Sequence, residues 1–183
     1  MLFDPDWDFP NSVPTALDGI HPYPAKFIRE IPQKLLTELK PDKTLWIYDP
    51  FCGSGTTLAV AQEMGYKVFG VDLNPIACLI SRVKTYQVEL GNFTIKSVLD
   101  VAQSYLDYSE RVDIKNINHW FMPHVISEIS CLRRAISEVT ETNIKDVLNL
   151  SLSSIIVRVS NQDSDTRYAA VDKNIPKGAT FSL

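Results

Sequence analysis

A chain of 183 residues with 45% apolar content can bury a core and reads as one domain or a large part of one, 1–183. Its net charge of −4 excludes a surface that is basic throughout, because affinity for duplex DNA depends largely on Lys and Arg neutralising phosphates. No apolar stretch approaches the roughly 18 residues of a membrane span, the acidic N-terminus lacks signal-peptide character, and the three distant cysteines, Cys52, Cys78 and Cys131, give no zinc spacing and fit a reducing compartment. The expectation is a soluble cytoplasmic protein with no metal and no membrane partner.

In chain order, the first strand signal is Leu45-Trp46-Ile47-Tyr48, a short run of β-formers expected to lie buried in a parallel sheet. Asp49 and Pro50 end it. The stretch Asp49-Pro50-Phe51-Cys52-Gly53-Ser54-Gly55-Thr56-Thr57 then reads as a glycine turn, in which Gly53 and Gly55 permit backbone angles closed to other residues and let a ligand approach the main chain. Ser54 or Thr56 is placed to cap a helix over 57–64 that carries Leu58, Ala61 and Met64 on one face, and Gly65 stands at its C-terminal stop. A second strand over 67–72 ends in Asp72, at the carboxyl edge where open α/β sheets bind ligands and where a carboxylate can accept from both hydroxyls of a ribose. Asn74-Pro75 starts the next helix, with Ile76, Leu79, Ile80 and Val83 inward and Ile76 near enough to the pocket to pack on an adenine. Helical periodicity recurs over 93–110, 123–140 and 143–160, and 168–172 is a candidate third strand.

The order strand, glycine turn, helix, strand, acid suits a nucleotide-type ligand, and the spacing discriminates among three. A P-loop needs four residues between its glycines and a following Gly-Lys-Ser/Thr, which the sequence lacks. A dinucleotide fingerprint needs a third glycine where Leu58 stands. S-adenosylmethionine has no phosphate, needs only the close turn and the ribose acid, and fits best.

The residues 49–57 together with Asp72-Leu73-Asn74-Pro75 resemble the cofactor half of the amino-methylating DNA methyltransferases, which act on cytosine N4 or adenine N6. The upstream Gly19-Ile20-His21-Pro22-Tyr23-Pro24-Ala25-Lys26-Phe27-Ile28 resembles the same family's partner motif, which covers the methionine end of the cofactor, and Trp7-Asp8-Phe9 and Ser160-Asn161-Gln162-Asp163 are also similar to this group. The resemblance implies an α/β, Rossmann-like S-adenosylmethionine-dependent methyltransferase fold, here with an incomplete sheet and a helical insertion. It divides the chain into a cofactor-covering segment 1–40, a β-α-β-α core 44–90, a helical region 91–160 and a tail 161–183. It implies S-adenosylmethionine as cofactor, DNA as substrate, cytosine N4 in preference to adenine N6, direct methyl transfer to a flipped base, and a cofactor site built from His21, Pro22, Tyr23, Pro24, Lys26, Asp49, Pro50, Phe51, Cys52, Gly53, Ser54, Gly55, Thr56, Thr57, Asp72, Leu73 and Asn74.

The family's amine-orienting Ser/Asp/Asn-Pro-Pro-Tyr motif has no counterpart: the sequence contains no Pro-Pro pair, and Asp4-Pro5-Asp6-Trp7 is only its nearest string. Catalytic residues are therefore unassigned, and the expectation is a truncated or split enzyme, with a second chain as a candidate source of the motif; a non-catalytic cofactor-binding subunit is the alternative, and a nicotinamide-dependent oxidoreductase a more distant one. His21 is read as shaping the loop over the methionine rather than as a base, and His119 and His124 as structural. Cys52 sits inside the cofactor turn and not in the Pro-Cys loop of cytosine-C5 enzymes. Lys26 stays open between the cofactor carboxylate and the surface. The basic clusters Lys26/Arg29/Lys34, Arg82/Lys84, Arg133/Arg134 and Arg158/Arg167 are expected to be solvated faces more than phosphate sites.

Overall fold

The computed structural model describes residues 7–16, 18–24, 26, 28–86, 95–106, 113–164, 167 and 169–183. Asp4-Pro5-Asp6, Tyr168 and both ends of the helix expected over 93–110 lie outside them. The chain forms two compact units, Met1–Gln87 and Val88–Leu183.

The first unit contains α1 (Glu30–Leu39), β1 (Trp46–Asp49), α2 (Thr56–Glu63), β2 (Lys67–Gly70) and α3 (Pro75–Thr85). β1 and β2 pair in parallel with Trp46 opposite Lys67 and Asp49 opposite Gly70. Helix α1 was not foreseen. Its apolar Ile31, Leu35, Leu36 and Leu39 carry the helical spacing, and Leu36 is buried beside Ala61 and Tyr66, with Ile47 and Val68 of the strands packed on that cluster. The strands are buried on this face alone. Trp46, Tyr48 and Phe69 alternate to the other face and are 61%, 57% and 55% exposed, which corrects the expectation of a strand enclosed on both sides.

Helix α2 also differs from expectation. It lies against α1, α3 and both strands, so Thr56, Leu58, Ala59, Val60 and Ala61 are all buried and no single apolar stripe exists. Its N-cap is Gly55 with no side-chain cap, so neither Ser54 nor Thr56 plays that part. Its end follows the sequence closely: Gly65 takes φ +83°, its N–H reaches the Gln62 carbonyl, and the Tyr66 N–H reaches that of Ala61, a Schellman closure. In α3, Asn74 Oδ1 accepts from the Ile76 N–H at 3.0 Å and Pro75 occupies the first turn, as expected.

The second unit contains α4 (Ile95–Ser104), α5 (Ile117–Trp120), α6 (Pro123–Glu138), α7 (Thr142–Ile155) and α8 (Ala179–Ser182). Val98 and Ala102 of α4, Cys131, Leu132, Ala135 and Ile136 of α6, and Ile144 and Leu148 of α7 form its core. The candidate strand over 168–172 amounts to one antiparallel bridge, Gln162 to Ala170, so the described sheet is two-stranded. His124 is structural, with Nε2 2.9 Å from the Ile175 carbonyl, and the His119 ring stands edge-on to Trp120 at 4.7 Å. The buried Glu128 receives the N–H groups of Gly178 at 2.6 Å and Thr180 at 3.2 Å, which satisfies the start of α8. Among the described residues no helix is long and apolar enough to cross a membrane.

Candidate functional site

The site forms where the carboxyl ends of β1 and β2 pass into their loops. The parallel ladder runs on beyond the strands, with the Val71 N–H on the Asp49 carbonyl and the Cys52 N–H on the Val71 carbonyl, both at 3.0 Å. This ties the glycine turn to the loop after β2. Asp72 completes the tie: Oδ2 accepts from the Gly53 N–H at 2.9 Å and Oδ1 from the Asn74 N–H at 2.8 Å. These two bonds, Asn74 and then Gly53, hold the Asp72 carboxyl below the ordinary carboxylate range.

The two glycines of the turn have different jobs. Both have positive φ, +49° at Gly53 and +75° at Gly55. A Cβ on Gly55 would lie 2.7 Å from Ser81 Oγ and 2.8 Å from its Cα, so the missing side chain is needed by α3 and not by a ligand. A Cβ on Gly53 would meet only Tyr23 Cε1, at 3.8 Å, so the main chain there is approachable. Ser81 Oγ fixes the same peptide from behind by donating to the Gly53 carbonyl at 2.8 Å.

The remaining candidates sort by exposure. Cys52, Ser54 and Thr56 are buried behind the turn, Thr57 is half-buried, and Asp49 accepts from the Phe51 N–H through Oδ1 at 3.1 Å. Pro50, Phe51, Leu73 and Asn74 are exposed, with Phe51 at 85% and Leu73 fully so, one on each loop. Burial raises the Cys52 thiol pKa, and its Sγ sits 3.6 Å from Ser81 Oγ, an environment opposed to a thiolate nucleophile. Of the upstream motif, Tyr23 reaches the turn, His21 is buried, and Pro22 and Pro24 are exposed. Lys26 is half-buried, and its ammonium donates to the carbonyls of Asp18 at 2.7 Å and His21 at 2.6 Å. Sequence reasoning missed Ser81 and Asp18, whose partners lie too far along the chain for any local pattern to announce them.

Residues 6–82 match the family model described as DNA methylase. The chain is 31% identical to the Type II methyltransferase M.MvaI of Kocuria varians over 77% of its own length and 34% of that protein, and 33% identical to the Type II methyltransferase M.MjaII of Methanocaldococcus jannaschii over 60% and 22%. These matches support the DNA amino-methyltransferase family. The Type II methyltransferase M.BsoBI of Geobacillus stearothermophilus is similar at 25% identity over 82% of the chain and 30% of that protein, so the chain spans about a third or less of the length of these relatives. No solved structure matches the chain. The family match takes in the glycine turn, Asp72 and the upstream motif, and the fold brings the first two together at one edge of the sheet with Tyr23 of the third.

Several members of the basic clusters make contacts within the protein. Arg29 pairs with Glu63, Lys34 lies 4.0 Å from Glu38 and over the Trp7 ring, Lys84 is buried against Asp18, Arg134 packs on Tyr105, and Arg167 lies 3.4 Å from Asp163. Arg82, Arg133, Arg158 and Arg167 are exposed, as expected of solvated faces, and buried Lys84 departs from that most.

Proposed function

We propose that this chain holds S-adenosylmethionine at the glycine turn, within a Rossmann-like methyltransferase fold, for methyl transfer to the exocyclic amine of a DNA base, cytosine N4 in preference to adenine N6. The observation that carries the reading is the approachable Gly53 backbone tied directly to Asp72 at the carboxyl edge of two parallel strands.

The residues fit that cofactor. Each Asp72 oxygen uses one acceptor position on a backbone N–H and keeps capacity for a ribose hydroxyl. Exposed Phe51 and Leu73, with half-buried Ile76, offer apolar surface to an adenine. The N-terminus of α2 behind the turn favours the methionine carboxylate, and Tyr23 closes over Gly53. When bound, the cofactor supplies an electrophilic methyl group on a sulfonium. Transfer to a base requires that the base leave the stack. The sequence holds no Pro-Pro pair, so in this reading the loop that orients the amine comes from outside these residues, and a second chain is one source. The preference for cytosine rests on resemblance alone.

Titration calorimetry against S-adenosylmethionine and NAD tests the reading. Binding of the first and not the second is expected, with Asp72→Ala abolishing it, since the substitution removes both the ribose acceptor and the tie to Gly53. Saturable binding of NAD alone would sink the assignment. Methylation of cytosine- and adenine-containing duplexes, with and without a candidate partner chain, then decides the target base and separates an enzyme from a cofactor-binding subunit.

A further inference from the structure

The segment that brings Tyr23 to the turn is held by residues outside the turn. Asp18 Oδ2 accepts from the N–H and hydroxyl of Thr15 at 2.8 and 2.7 Å, which ties Asp18 to Thr15. Its other oxygen faces the Lys84 ammonium, 3.8 Å away in the last turn of α3. The Lys84 side chain is 1% exposed, and its ammonium has no hydrogen-bond acceptor among the described residues. Lys26 then locks the carbonyls of Asp18 and His21 together. The Tyr23 N–H reaches the His21 carbonyl at 2.9 Å, so the path from Asp18 to Tyr23 is short and internally bonded.

An ion pair of this kind stabilises a fold poorly. Three buried donors face one carboxylate beyond hydrogen-bond distance, and the cost of removing an ammonium from water exceeds what such a pair returns. The direction of the Lys84 pKa agrees: burial, the largest influence, pulls it below the ordinary lysine value, with the Asp18 charge opposing. A methionine in the same slot would keep the aliphatic stem without that cost. What Lys84 supplies is location, since it anchors Asp18 to the helix whose Ser81, one turn earlier, holds the Gly53 carbonyl.

We propose that Asp18 and Lys84 are positioning residues that fix the 18–23 segment, and with it Tyr23, over the cofactor turn. The proposal rests on the S-adenosylmethionine reading for its functional consequence, while the positioning itself is measurable without ligand. Hydrogen exchange on the full chain should show faster exchange in the peptide spanning 15–23 for Lys84→Met, with β1, α2 and β2 unchanged, and a melting temperature no lower than that of the parent. The same variant should weaken S-adenosylmethionine binding about tenfold. Asp18→Asn should loosen the same peptide but also lower the melting temperature, because it leaves the buried Lys84 ammonium without its counter-charge, and the double substitution should loosen the peptide no more than either alone, because both remove one link. Parent-like exchange over 15–23 in Lys84→Met would overturn the proposal, as would loss of binding that only tracks global unfolding. If the parent chain binds no S-adenosylmethionine, the functional reading falls and the exchange data still decide the positioning.

Discussion

At the scale of single residues, Gly55 and Gly65 show how one property, positive φ, serves two purposes. Gly55→Ala would set a Cβ within 2.9 Å of the Ser81 backbone and side chain at a left-handed angle, so overpacking adds to strain and a loss of about 2–4 kcal/mol is expected. Gly65→Ala meets open space and bears only the conformational cost of about 1 kcal/mol. Urea unfolding followed by tryptophan fluorescence separates them. The need for a bent turn was legible from the glycine spacing; the crowding by Ser81 was not, because that contact depends on how α3 returns across the sheet. Asp72 was legible as the acid at a strand tip, yet its bonds to Gly53 and Asn74 were not. Since those bonds lower its folded pKa, the stability it contributes is fully present above the ordinary carboxylate value and is lost as pH falls through the lower folded one. In the proposed reading, S-adenosylmethionine affinity should therefore hold steady from about pH 7 to about pH 5 and fall only in stronger acid, and a titration series at stepped pH checks this.

At the scale of elements, boundaries written in local chemistry were readable and those set by packing were not. Asn74-Pro75 at the start of α3 and Gly65 after α2 are self-contained signals, and both stand where the sequence puts them. Asn74→Ala should cost about 1 kcal/mol through loss of the bond to the Ile76 N–H, whereas Asn74→Asp retains the acceptor; thermal melts of the pair test the difference. Helix α2 misled because its environment is three-sided: between α1, α3 and the sheet, Ala59 and Val60 are as buried as Leu58 and Ala61. Helix α1 escaped notice because Arg29 offers no side-chain cap at its start. The long helices α6 and α7 stand where their periodicity puts them, since each packs one stripe into the core of the second unit, although α7 stops at Ile155 and residues 156–159 form turns in place of the last helical turn expected.

At the scale of the whole molecule, the two-stranded sheet keeps a bare face. Tyr48 and Phe69 stack at 5.6 Å and Lys67 lies over Trp46 at 5.9 Å, yet Trp46, Tyr48 and Phe69 are each more than half exposed. An apolar patch of this kind attracts hydrophobic dyes and self-association. Replacing Tyr48 and Phe69 with Thr, which keeps β-propensity, should reduce dye fluorescence and sharpen the sedimentation profile while leaving far-ultraviolet dichroism unchanged. Charge adds little repulsion to prevent association, the net value being −4. At the far end of the chain, the Glu128 grip on Gly178 and Thr180, with His124 on Ile175, has a practical corollary. A spin label placed at exposed Ser182 should report the tumbling of helix α6 instead of free swivelling, and Glu128→Gln should release it, making that one carboxylate a handle for watching the second unit loosen.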